Sequence, residues 1–260
     1  MRIALGIEYD GSSFSGWQAQ KNLPTVQGCL EKALSTIADE PIKVICAGRT
    51  DAGVHAIAQV VHFETSAHRE LRAWTLGANS HLPPSIAVTW VQIVDDVFHA
   101  RFSALSRRYC YVIHNSSIRS AIAASRVAWY YRPLDVDAMQ KAAQFLLGEL
   151  DFSSFRSAEC ESNTPMRNVH FIQVSRQGDF VVIDIQANAF LHHMVRNIAG
   201  TLMHIGSGFK NPEWAREVLE AKDRRQAAET APASGLYLCQ VNYPASYPFP
   251  HRKAVMPAFF

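Results

Sequence analysis

The sequence predicts an α+β protein of two domains, each a mainly antiparallel sheet faced by helices, on three observations. Apolar residues alternate at Ile3, Leu5, Ile7 and Tyr9, the period of a half-buried strand. Val26, Leu30, Ala33, Leu34 and Ile37 recur at helical spacing behind Thr25, whose hydroxyl suits the first free N–H groups of a helix. The order read over residues 1–95, β-α-β-β-α-β, recurs over the second half without residue-by-residue identity. That is the split-βαβ, ferredoxin-like order.

The first domain opens with the strand at 3–9 and a turn at Asp10-Gly11-Ser12-Ser13. The helix behind Thr25 leads to a strand at 42–47, β-branched at Ile42, Val44 and Ile45, and another at 59–64. A second helix starts near Ser66, carries Leu71, Trp74, Thr75 and Ala78, and stops before Pro83-Pro84. A strand at 86–94 ends the domain. The second domain begins with a strand at 107–114, followed by a polar loop and a helix at 136–147 that Gly148 stops. Strands 168–175 and 180–187 form a hairpin around Gln177-Gly178-Asp179. Leu191, Val195, Ile198, Leu202 and Ile205 mark a further helix, and Asn211-Pro212 opens a short one. The last strand is 236–243, before a Pro-rich tail. Domain bounds are expected at 1–105 and 106–260.

Composition narrows the function classes. With 260 residues, 48% of them hydrophobic, the chain can bury real cores. No apolar run is long enough to span a bilayer, and the N-terminus reads as a strand, so a soluble cytoplasmic protein is expected. The five cysteines are scattered without a Cys-x-x-Cys, which supports neither a disulfide framework nor a cysteine zinc site. Eleven histidines include the pair His192-His193 but no His-x-x-x-His; adjacent histidines on a helix point different ways. A P-loop, a Gly-x-Ser-x-Gly elbow and the zinc deaminase signature are all missing.

Net charge is only +2, yet its distribution is uneven. From Val97 to Leu134 there is no Asp or Glu, but there are six arginines (101, 107, 108, 119, 126 and 132) among seven aromatic residues. Arginines attract phosphates and aromatic faces stack on bases, so the stretch reads as an RNA-docking surface or as a half-buried strand with a solvated loop.

The strongest reactive group is a carboxylate. Cys46-Ala47-Gly48-Arg49-Thr50-Asp51-Ala52-Gly53-Val54-His55 lies between two strands and holds two glycines, an arginine and an aspartate. Arg49 and Asp51, two apart, share a face of an extended segment. An arginine beside a carboxylate favours its ionised form and can aim it. By itself the pair reads first as a structural ion pair in a turn. Arg196, at the edge of an apolar helical stripe, reads alone as a snorkelling surface arginine, and Tyr109 alone could be core.

In combination the motifs are specific. Gly48-Arg49-Thr50-Asp51-Ala52-Gly53-Val54-His55-Ala56, Phe98-His99-Ala100-Arg101-Phe102-Ser103, Arg108-Tyr109-Cys110-Tyr111, Asn188 to Asn197 and Gly235-Leu236-Tyr237-Leu238 stand in one order, with Tyr9-Asp10-Gly11 and Gly16-Trp17-Gln18 before them. In these blocks the chain resembles the bacterial tRNA pseudouridine synthase A (TruA) family from near residue 5 to about 243. One departure is Cys110, where an arginine often stands.

The resemblance implies a pseudouridine synthase fold with an active-site cleft between the domains. It implies isomerisation of uridine to pseudouridine at positions 38, 39 and 40 of the tRNA anticodon stem-loop, by a homodimer, with no cofactor or metal. It gives Asp51 the reacting carboxylate, Arg49 its control, Tyr109 the stack on the target base, Arg196 a pairing role with Asp51, and Leu236 the apolar wall. Arg101, Arg107, Arg108 and His192 become substrate-binding residues. Two rivals are a non-catalytic RNA-binding protein, which leaves Arg49-Thr50-Asp51 unexplained, and a carboxylate glycosidase. The latter needs a second carboxylate, for which Glu8, Asp10 and Glu64 carry no motif.

Overall fold

The computed structural model describes residues 1–160 and 162–250; the end of the Pro-rich tail lies outside them. The described chain forms two compact units, one of Met1–Leu105 with residues 237–250, the other of Ser106–Leu236.

In the first unit β1 (Arg2–Tyr9) is central, because Ile3, Leu5 and Ile7 bury one face and small residues fill the other. It pairs antiparallel with β3 (His55–Glu64) on one side and β4 (Ile86–Val94) on the other. Helix α1 (Val26–Ala38) starts where expected: Thr25 is extended and its hydroxyl accepts from the Gly28 N–H at 3.2 Å.

Three expected elements differ, the strand foreseen at 59–64 starting already at His55. The strand foreseen at 42–47 shrinks to β2 (Ile45–Cys46), antiparallel to β3. Side chains of α1 take the backbone donors that a strand would pair: Ile42 N–H bonds Ser35 Oγ at 2.8 Å, and Val44 N–H bonds Glu31 Oε1 at 3.1 Å. The helix foreseen from Ser66 does not begin until Leu71, then widens into a π turn over Ala73–Gly77 before α2 (Ala78–His81). Thr65 and Ser66 are instead held by the Glu40 carboxylate.

In the second unit β5 (Ser106–Asn115), β9 (Phe180–Ala187), β8 (Met166–Gln177) and β7 (Gly148–Asp151) form an antiparallel run in that spatial order. The β8–β9 hairpin turns at Gly178, whose φ of +57° explains the glycine. Strand β6 (Ala128–Tyr130), parallel to β5, and β7 were not foreseen. Helix α3 (Val136–Gln144) ends three residues before the expected stop, and Gly148, at φ +91°, opens β7. Helix α4 (Met194–Gly206) packs on α3 and β5, with α5 (Trp214–Ala221) beside them. It lacks the expected first turn because His193 sits at φ +62°. The rings of His192 and His193 consequently lie 4.0 Å apart before the helix, instead of diverging on it.

The last strand, β10 (Leu236–Asn242), was assigned to the C-terminal domain. From Tyr237 it joins the first unit, parallel to β3 through Tyr237–His55 and Leu238–Ala56. The following tail seals that unit: Phe249 stacks on Trp90 at 4.9 Å and meets Phe98 edge-on at 5.2 Å, and the Tyr243 hydroxyl donates to Ala100 O at 2.7 Å.

Candidate active site

Asp51 lies on the loop between β2 and β3. As the chain leaves β2, Ala47 N–H still bonds Val60 O at 2.8 Å. Gln59, fully buried in β3, then continues the ladder with its side chain: Nε2 donates to Gly48 O at 2.6 Å, and Oε1 accepts from Gly48 N–H at 3.4 Å. At Thr50 the carbonyl accepts from Trp17 N–H at 2.9 Å, and the hydroxyl lies 2.7 Å from that of Tyr9. Val54 N–H closes a turn onto Asp51 O at 3.1 Å, with Gly53 at φ +78°. Beneath the turn, Gly11 approaches so closely that a Cβ there would stand 1.9 Å from Val54 O. Its N–H donates to His55 Nδ1 at 3.1 Å, and the His55 ring stacks on Tyr237 at 4.7 Å.

Arg49 is exposed, Thr50 buried and Asp51 half-buried. Burial pushes the Cys46 thiol up to about 12, against the opposing charges of Arg49 and Arg101. Arg101 itself lies over the exposed Phe102 ring, 5.5 Å from its centroid, and Phe102 stacks on His99 at 4.3 Å.

In the second unit Tyr109 is buried on β5 and meets Phe190 edge-on at 5.0 Å. Arg196 stands in the first turn of α4; its Nε donates to Ala231 O at 2.8 Å, while its own carbonyl accepts from Ala231 N–H at 3.2 Å. Gly200, one turn on, admits the same segment: a Cβ there would lie 2.0 Å from Glu229 O. Asn197, fully buried, fixes the helix start by donating to Phe155 O at 2.8 Å and accepting from Arg224 and Thr230. Beyond Ala231 the chain accepts the Tyr111 hydroxyl at Pro232 O, 2.8 Å away, and reaches the buried Leu236. Burial raises the Tyr111 hydroxyl far above its ordinary range, with Arg196 opposing. Tyr111, Arg196 and the 231–236 segment thus gather beside β5.

The other second-unit candidates are engaged within their unit. Arg107 Nη1 donates to Asn188 O at 3.2 Å, and Arg108 grips Asp184. His192 N–H points to Cys160 Sγ at 3.4 Å. Cys110 is fully buried in the register position opposite Asp184.

Sequence reasoning missed the residues that hold the Asp51 loop, namely Tyr9, Trp17 and Gln59. Tyr9 and Trp17 stood in the motif blocks without this role, and Gln59 left a signal as an uncharged polar residue inside an apolar strand. Asn197 stood in the Asn188–Asn197 block without a stated role, and Gly200 was missed as a support of Arg196.

In the first unit a carboxylate stands on a braced loop between two strands, and the second unit is a separate antiparallel sheet faced by helices, which places the chain among two-unit α+β proteins. The family model described as tRNA pseudouridine synthase matches residues 6–103 and 142–244, and the chain belongs to that family. Asp51, Arg49, Arg101, His192, Arg196 and Leu236 fall inside the matched segments; Arg107, Arg108 and Tyr109 fall between them. Proteins named tRNA pseudouridine synthase A resemble the chain over nearly its whole length. That of Photorhabdus laumondii is 60% identical over 250 residues, 96% of this chain and 95% of its own. That of Nitrosococcus oceani is 58% identical over 96% of each, and that of Shewanella baltica 59% identical over 100% and 99%. The resemblance read from the motifs is borne out, as is the α+β fold.

Proposed function

We propose that this protein isomerises uridine to pseudouridine at positions 38, 39 and 40 in the anticodon stem-loop of tRNA, with Asp51 as the reacting carboxylate. Its family makes it a tRNA pseudouridine synthase, an isomerase. The C1′–N1 bond breaks, the uracil turns, and C5 bonds to C1′; C5 gives up a proton and N1 takes one, so the atoms balance without a co-reactant. Breaking the first bond, by addition at C1′ or by removal of the C2′ proton, requires an ionised carboxylate within reach of the ribose. Arg49 aims it, Arg196 pairs with it when the site assembles, and Leu236 forms the apolar wall.

Tyr109 stacks on the target uracil, and its hydroxyl assists loss of the C5 proton. The base must leave the helix, at a cost of a few kcal/mol that stacking and phosphate contacts offset. Arg101, Arg107, Arg108 and His192 dock the RNA backbone. Reading A-form RNA by shape is compatible with three neighbouring sites of different sequence. The working form is a cytoplasmic homodimer; among the described residues no helix is long and apolar enough to cross a membrane.

The observation that carries this reading is the bracing of the Asp51 loop at Gly48, Thr50 and Val54. A loop that only bridged two strands would need no such set of partners. The test is release of tritium from C5-labelled uridine in anticodon stem-loop RNA, with pseudouridine mapped at each position. Release with product at 38–40 is expected. Tight RNA binding without release would favour a non-catalytic binder, and free uracil would favour a hydrolase.

A further inference from the structure

The braces on the Asp51 loop bear no reacting group, yet they set where Asp51 stands. Two of them use side chains. The Gln59 carboxamide makes both halves of a backbone-like pair with Gly48, and Gln59 is fully buried. The hydroxyls of Tyr9 and Thr50 lie 2.7 Å apart, with Tyr9 3% and Thr50 8% exposed. A hydrogen bond so shielded from water resists exchange, and losing one partner strands the other. Thr50 is locked at its carbonyl as well, by Trp17 N–H. Gly16, at φ +92°, brings its backbone against that carbonyl; a Cβ on it would lie 2.9 Å from Thr50 O. Asp51 is one peptide unit beyond this anchor, and its own carbonyl is held by Val54 N–H. The Asp51 backbone is therefore held on both sides.

We infer that Tyr9 and Gln59 are positioning residues for this reaction, the Tyr9–Thr50 hydroxyl bond and the Gln59–Gly48 carboxamide pair together fixing the Asp51 backbone where its carboxylate meets the ribose. The inference rests on Asp51 being the reacting group. A displacement of the order of 1 Å at a reacting atom costs roughly a hundredfold in rate. Substrate affinity, set by docking contacts elsewhere, stays the same. Thr50 is the shared element: its hydroxyl meets Tyr9, and its backbone is continuous with Asp51.

The experiment compares Tyr9→Phe, Thr50→Val, the double variant, Thr50→Ser and Asp51→Ala in the full-length protein. Each is read by single-turnover rate, tRNA Kd and melting temperature, with rates taken well below the melting transition. Tyr9→Phe and Thr50→Val should each lower the rate about 10- to 100-fold, with Kd within about twofold. The double variant should be no slower than the slower single, since both remove one bond. Thr50→Ser should retain the rate. A wild-type rate in Tyr9→Phe overturns the inference, as do multiplicative losses in the double variant or losses that follow Kd. Should Tyr9→Phe fail to fold, Gln59→Met, which removes the other brace at similar volume, decides by the same readouts. An active Asp51→Ala would overturn the underlying assignment; an inert Asp51→Ala beside a fully active Tyr9→Phe overturns the positioning role alone.

Discussion

Arg108 grips both oxygens of Asp184 on the neighbouring strand, Nε at 2.8 Å and Nη2 at 2.5 Å, and its guanidinium lies over the Phe171 ring, 4.9 Å from the centroid. The pair is mostly buried, with side chains 22% and 18% exposed. Removing one partner leaves a partly desolvated charge. Arg108→Ala is therefore expected to cost stability, about 1–3 kcal/mol, seen as a lower denaturant midpoint.

Arg107, whose Nη1 donates to Asn188 O, separates docking from stability. Arg107→Ala should weaken tRNA binding and reduce by about one the slope of log Kd against log salt, while the denaturant midpoint stays near wild type. An unchanged salt slope removes Arg107 from the docking surface.

Asp51→Asn and Asp51→Ala should lower the single-turnover rate by about a thousandfold or more and leave the tRNA Kd within about twofold. Measured by tritium release and filter binding, an active Asp51→Ala would falsify the assignment.

Tyr109→Phe keeps the ring that meets Phe190 and loses only the hydroxyl. If the hydroxyl assists proton loss from C5, the rate falls about 10- to 100-fold with base stacking intact. A wild-type rate reduces Tyr109 to a stacking platform.

Gly11→Ala would drive a Cβ to 1.9 Å from Val54 O, a backbone atom that cannot swing aside. A loss of about 2–4 kcal/mol is expected, measured by chemical denaturation, with slower turnover because Val54 closes the turn on Asp51.

His62 should make stability depend on pH. Burial, then His99 and Arg2, push its pKa down to about 4, against the upward pull of Glu64. Its Nδ1 accepts the Ala100 N–H at 3.1 Å, a bond only the neutral ring can make. The folded value lies below the unfolded one of about 6.5, so the unfolded chain binds more protons between them. The contribution is complete above about pH 6.5 and is lost as pH falls toward 4. Unfolding free energy should drop by roughly 1–3 kcal/mol across that window, and less in His62→Gln. Equal slopes in both proteins would exclude His62 as the source.

Local signals were legible wherever neighbours in sequence are neighbours in space. Thr25 caps α1, alternating residues define β1, and the Gln177-Gly178-Asp179 turn joins β8 to β9, each as the residues imply. Where a backbone partner lies far along the chain, the local signal failed. Ser35 and Glu31 claimed backbone N–H groups at 42 and 44, and Glu40 claimed that of Ser66. Strand β6 exists because Ile113–Asn115 offered an open edge to three residues with no strand pattern of their own.

The residues that do chemistry were readable from their motif, since Gly48-Arg49-Thr50-Asp51 requires particular residue types at fixed spacing. Residue order alone determined the α+β class, the family and the candidate carboxylate. Tertiary packing decided that β10 leaves the second unit at Tyr237 to pair with His55, and that Tyr9 and Gln59, 42 and 8 positions from Asp51, brace its loop. Such partners are chosen by hydrogen bonds that a buried backbone must satisfy with whatever the fold brings near, and only the folded chain supplies that neighbourhood.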